Sequence, residues 1–320
     1  MGPYLDRPAR ADALLERADR LACRYPYAPA PELLKKTNRL REVSHALHET
    51  SAPSRQRDLL AVHGWATLLA ACLEHDLGRP ARAAALAGLA RRVGAAAGHS
   101  HITAWSGEIA AWQAVTTGRY ADAARISQDA YALAPRSSVG VQLKVQEAKA
   151  LARMGMTSLA RVALADAEQL LSRLPTPSRP EHHFTVDRAK WAFYAAQVFD
   201  LAGDRRAART FTRECFVHCV APDGTSRWPM RIAELQLCLA HLHLRAGALD
   251  AAVSYGLRAL DHARQSAPSL LPRAMDLEAA LHKRWPGEPR SHRFRSVLRQ
   301  IQRRHTALAP SMARAGAPAG

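Results

Sequence analysis

One spacing recurs five times along this chain and limits its fold more than any other feature. Gly78, Gly118, Gly155, Gly203 and Gly247 each stand in the same frame of small residues. Five positions after them come Ala83, Ala123, Ala160, Ala208 and Ala252. Twelve positions after come Ala90, Ala130, Ala167, Cys215 and Ala259, and seven before come Ala71, Ala111, Ala148, Ala196 and Ala240. A glycine ends a helix because it takes a left-handed backbone without steric cost. Small residues at fixed offsets let two helices cross where larger side chains would clash. The frame predicts five helical hairpins, the alternative being an irregular α-helical bundle. Composition agrees, because alanine and leucine dominate, β-branched residues are sparse and aromatics make up 6%. That favours helix over sandwiches and barrels. A chain 48% hydrophobic and 23% charged is not a mostly disordered one.

The spacing resembles the tetratricopeptide repeat (TPR), a unit of about 34 residues built from two antiparallel helices. The second copy matches best, with Tyr120 just after Gly118 and a closing Pro135. Successive glycines are 40, 37, 48 and 44 residues apart, so the connecting loops are lengthened. The longest insertion, Arg173 to Phe184, carries three prolines and reads as an ordered loop, not a domain boundary. The expected fold is all-α: a TPR-like right-handed α-solenoid of about five hairpins with flanking capping helices. Its parts are an N-terminal helical cap over 1–58, repeats over 59–265, basic capping helices over 266–308 and a frayed tail over 309–320.

Several stretches point further. YPYAPAPELL, LLAVHGWATLLAACLEHDLG, AGHSHITAWSGEIAAWQAVTTGRYADA, SSVGVQLKVQEAKALARMG, RLPTPSRPEHHFTVDRAKW and RWPGEPRSHRFR occur between Tyr25 and Arg295. In them the chain resembles the C-terminal TPR-type region of actinobacterial XRE-family helix-turn-helix transcriptional regulators. In that family an N-terminal helix-turn-helix binds DNA while the TPR region senses or oligomerises. The resemblance implies a regulatory module for a peptide, small molecule or partner protein, with a separate DNA-binding protein or a homodimer as candidate assemblies. A helix-turn-helix needs roughly 50–60 residues ahead of that region. Only 24 precede Tyr25, and they read as one helix, so specific promoter binding is not expected of this chain.

A net charge of +17 suggests anionic partners, nucleic acid among them, bound weakly and without sequence preference. Arg293, Arg295, Arg299, Arg303 and Arg304 surround an apolar stripe of Phe294, Val297, Leu298, Ile301 and Leu308. They read as the solvated face of a capping helix or as a contact for nucleic acid or an acidic partner. The most apolar stretch, Leu59 to Leu73, is too short and polar to span a bilayer, and no signal-peptide core is visible. Five cysteines spread over a long chain suit a reducing cytoplasm. Cys215, His218 and Cys219 share a helical face, with Cys238 one helix later. Metal binding and core packing compete there, and packing is favoured because Cys215 holds a small-residue position. His241 and His243 point apart on a helix, and His99 and His101 fit a helix start. No nucleophile–base set and no HExxH, GxSxG, Walker or GxGxxG motif occurs, so neither an enzyme nor a cofactor is expected.

The candidate site is the inner groove. Counting back from each glycine, positions −13, −10, −6, −3 and −2 should face inward. They include Trp65, His75 and Asp76; Trp105, Glu108 and Trp112; Gln142, Lys149 and Arg153; Lys190 and Gln197; and Glu234, His241 and Arg245. His182 and His183, followed by Phe184, either reach over the inner face or stay local to the next helix. Lys149 and Arg153 are i, i+4 neighbours expected to face solvent and to clamp one carboxylate or phosphate, with Lys190 nearby. The alternative is a superhelix closed on itself, in which these residues pack.

Overall fold

A computed structural model describes residues 8–308 apart from residue 222, so the expected tail lies outside the described residues. Among them are fourteen α-helices and no strand beyond a single bridge between Val220 and Ser226. The flanking N-terminal pair is α1 (Pro8–Arg24) and α2 (Ala30–Thr50). Five hairpins follow: α3 (Pro53–Asp76) with α4 (Pro80–Ala96), and α5 (Ser100–Thr116) with α6 (Tyr120–Tyr131). Next come α7 (Ser138–Arg153) with α8 (Thr157–Ser172), α9 (Arg188–Leu201) with α10 (Arg205–Cys219), and α11 (Pro229–Arg245) with α12 (Leu249–Leu260). The last pair is α13 (Ala267–Arg284) and α14 (Pro289–Leu308). The expected boundary at 58/59 falls inside α3, whose first turn begins at a proline.

Each hairpin turns at one of the five repeat glycines, and all five have φ between +71° and +79°. A side chain there would be strained against its own backbone. All fifteen small residues of the frame are buried, the alanines seven before and five after each glycine completely so. The two helices of each hairpin pack on each other, and α3, α5, α7, α9 and α11 also pack on one another in sequence. Among the intervening helices α4, α6, α8 and α10 bury four positions each, one stripe with a solvated back. By contrast α7 buries thirteen of its sixteen residues, because neighbours cover it on nearly every side.

Helix α13 departs from the expected capping role. It packs on α11 and also reaches back to α3 and α5, so the end of the row meets its beginning. Capping falls to α14, which lies on α12 and α13 with Phe294 fully buried and Leu298 nearly so.

Candidate functional site

Long-range polar contacts hold α13 in place. Arg264, just before it, donates to Asp76 at the end of α3 at 2.7 Å, and both side chains are almost fully buried. The same guanidinium lies 4.9 Å from the centre of the Tyr25 ring. Trp112 Nε1 donates to Ser269 Oγ at 2.9 Å, and Arg153 donates to Asp276 at 2.6 Å. Asp200 pairs with both Arg245 and Arg273, and His241 Nε2 meets the Arg273 carbonyl at 3.1 Å. Asp76 and Arg153 are therefore occupied in closure, His241 in the packing of α13 on α11, and Arg245 in the ion pair that joins α11 to α9. Arg153 turns to Asp276 while Lys149 is buried, which corrects the expectation that the two face solvent and clamp one anion. His75 packs edge-on against Trp112 at 4.2 Å, and burial pushes its imidazole down to about 4, leaving it neutral.

Framed by this arrangement is a chamber, open to solvent on one side, of about 90 Å³ measured over the positions a water centre can occupy. The residues thirteen before the glycine in hairpins two to five, Trp105, Gln142, Lys190 and Glu234, all line it. Glu108, Trp112, Lys149 and His183 join them from the expected set, while Trp65 and Gln197 stand behind the wall. Trp65 packs on Phe184 at 5.2 Å, and Gln197 donates to Glu234 at 3.1 Å.

The chamber's charges sit in unlike settings. Glu108 accepts from the side-chain amides of Gln142 and Gln146 at 3.0 and 2.8 Å, yet burial still raises its carboxyl above the usual range. Glu234 is raised by burial too, with Lys149 and Arg273 opposing the shift. Burial lowers Lys149, whose ammonium lies 5.2 Å from the Tyr194 ring and has no hydrogen bond among the described residues. Lys190 donates to the carbonyls of His183 and Thr185 at 2.7 and 3.1 Å and lies 5.5 Å from the Trp105 ring. Burial, reinforced by the Arg231 cation, pushes Lys190 down to about 7. Arg231 lies 5.1 Å from the Trp228 ring, and its Nη1 is buried without a partner.

The loop ahead of α9 reaches across the inner face. The His183 backbone amide donates to the Ala22 carbonyl, its ring lies 3.7 Å from Tyr25, and its Nε2 is 3.3 Å from Cys72 Sγ. Burial drops the His183 imidazole well below its ordinary range. His182 turns away to Asp19 at 3.5 Å. Phe184 is buried between Trp65 and Trp105, 5.2 Å from each ring.

Elsewhere the candidates separate. Cys215 and Cys219 are buried with their sulfurs 3.5 Å apart, while His218 is exposed and Cys238 lies 3.3 Å from an Arg273 nitrogen. On α14, Arg293, Arg299 and Arg303 are exposed and Arg295 is ion-paired with Glu278. The side chain of Arg304 lies outside the described residues. No helix among the described residues is long and apolar enough to cross a membrane.

Tyr25, Gln146, Tyr194, Trp228 and Arg231 line the chamber but are absent from the inward positions read off the repeat. Arg231 precedes Glu234 by three residues, one turn along the same helical face, so extending the register by one turn finds it. No family model matches the chain, and no curated protein matches it.

Proposed function

We propose that this chain is a regulatory binding module, a TPR-like right-handed solenoid closed on itself that holds a small molecule in its central chamber. The observation that carries this reading is the chamber itself: partly enclosed, ringed by aromatics, and lined by Lys149 and Arg231, two cations with no hydrogen bond or ion pair to a neighbour. A few convergent polar groups in an apolar wall are how proteins orient small ligands. A single water needs about 10–15 Å³ by the same kind of measure. A space of about 90 Å³ is smaller than the roughly 150 Å³ apolar cavity that takes a benzene ring, so it suits a small molecule that stays partly exposed at the open side, not a peptide segment. Of the partners considered, a small molecule fits the closed form best, and a peptide or partner protein would need the α13 junction to part.

The regulatory step in this reading is a population shift between closed and open forms. A ligand that contacts α5, α7, α9 and α11 together stabilises closure by its differential affinity for that form. An assembly with a separate DNA-binding protein or a homodimer, and a link to transcription, belong to the same reading and rest on the family resemblance, while a cytoplasmic setting rests on the five scattered cysteines. In it the chain performs no chemistry of its own. The exposed Arg293, Arg299 and Arg303 favour a second reading, a weak sequence-independent contact with nucleic acid on the outer surface. Native mass spectrometry of protein purified from its own host tests the main reading. A stoichiometric small mass that dissociates on unfolding is expected. A bare chain mass, with no thermal shift across a panel of small metabolites, refutes it.

A further inference from the structure

The wall of the chamber holds two cations that face the same space and lack a carboxylate partner. Lys190 projects from α9 and Arg231 from α11, and both line the chamber. Of the charges acting on Lys190, that of Arg231 is the strongest, and it is repulsive. Neither side chain makes an ion pair among the described residues. Lys190 places two of its three N–H bonds on backbone carbonyls, leaving one donor. Arg231 makes no hydrogen bond there, and its Nη1 is buried.

With Lys190 buried and Arg231 half-buried on the same chamber, their repulsion favours an anion that offsets both. Three carboxylates line the chamber, Glu108, Glu181 and Glu234, and none of them forms an ion pair with either cation among the described residues. Glu108, across from Lys190 on α5, accepts from two glutamine amides through one oxygen. Asp187 caps the first turn of α9 through the Lys190 amide. Glu234 is drawn to Lys149 and Gln197. Cys72 from α3 and His183 from the loop complete the surroundings of Lys190, and burial holds both in the neutral form. Behind each cation stands an indole, Trp105 under Lys190 and Trp228 under Arg231.

We infer that Lys190 and Arg231 form a paired-cation site for the carboxylate of a small aromatic acid, whose ring packs among the chamber's aromatic side chains. The carboxylate takes one N–H from each cation. The ring fills the apolar space beside Trp105, Trp228 and Phe193, which a bare inorganic anion would leave uncovered. This assignment rests on the small-molecule reading above and names the class of that molecule.

Titration calorimetry on the full chain tests it with three probes: benzoate, its neutral counterpart benzamide, and inorganic phosphate. Benzoate is expected to bind saturably at one site, with benzamide and phosphate each weaker by about tenfold or more. Arg231→Gln should weaken benzoate by a similar factor while melting at or above the wild-type temperature, because it removes a repulsion and breaks no ion pair. Arg299→Gln, on the exposed face of α14, should leave benzoate unchanged. Equal binding of benzoate and benzamide overturns the carboxylate assignment and leaves the chamber a ligand site. Tighter binding of phosphate makes the site one for inorganic anions and also overturns it. Unaltered benzoate affinity in Arg231→Gln places the anion elsewhere. If none of the three probes binds, the assignment falls, and the mass of the native protein still decides the wider reading separately.

Discussion

Removing Arg264 puts the junction between α13 and α3 to a quantitative test. Its guanidinium and the Asp76 carboxylate are 6% and 0% exposed and 2.7 Å apart. In Arg264→Leu the carboxylate stays buried beside Tyr25 with no cation to offset it. Breaking a buried ion pair from one side costs about 3–5 kcal/mol, mainly the desolvation of the charge left behind. Spread over a chain of this length unfolding as one unit, that is a fall of about 4–7 °C in Tm. The molecule can escape part of the cost by parting the junction, which re-solvates Asp76. The free energy of closure therefore caps the loss, and an escape of this kind shows as a larger radius of gyration. Asp76→Leu/Arg264→Leu should recover most of the loss, because an apolar pair of similar volume leaves no buried charge. Calorimetric melts and small-angle scattering on the same samples read both quantities. An Arg264→Leu protein that melts within about 1 °C of wild type with an unchanged radius refutes the buried junction.

Three further outcomes follow from the same contacts. Ala111→Leu and Ala240→Leu overpack fully buried helix crossings and should each lose about 1–3 kcal/mol in urea unfolding; wild-type midpoints would disprove the crossing. Lys190 falls from an ordinary 10.5 to about 7 under burial and the Arg231 charge, against the opposing pull of Glu108 and Asp187. Between pH 7 and 9 the unfolded chain then holds a proton that the folded one lacks, so stability should rise by up to ~1.4 kcal/mol per pH unit. Denaturant midpoints at pH 7 and 9 check this, and an equal slope in Lys190→Met contradicts it. Retention of DNA in mobility shifts should be sequence-independent, lost steeply with salt, and reduced by replacing Arg293, Arg299 and Arg303 with Gln; one discrete complex on a defined operator would reverse that expectation.

The helical order of the chain was legible because its signals are local. A glycine that must take positive φ and an alanine that must fit a crossing are each decided within about one repeat. The same register placed Trp105, Gln142, Lys190 and Glu234, at one offset in four hairpins, around one cavity. What the register could not carry was the sum of small rotations from hairpin to hairpin, and that sum decides whether the ends meet. Closure is why Arg153 turns to Asp276, why Asp76 is taken by Arg264, and why Lys149 is enclosed. Arg264 and Tyr25 lie outside the hairpins altogether, so no count from a repeat glycine reaches them. The HHF loop was ambiguous for a similar reason, since the partners of His183 are Tyr25 and Cys72, distant in the chain.

The return of α13 onto α3 and α5 also changes how such a row comes apart. A linear array of hairpins frays, because its outermost units have one neighbour each and peel off before the middle. Here α3 has α5 on one side, α2 and α1 on the other, and α13 reaching it across the row, so the first hairpin is held as an interior one is. Peeling that hairpin must break several interfaces at once, and the weak end of the array moves out to α1 and α2, which α13 does not touch. Amide protons of α3 should then exchange as slowly as those of α7, and the hairpins should open together instead of one by one from the rim.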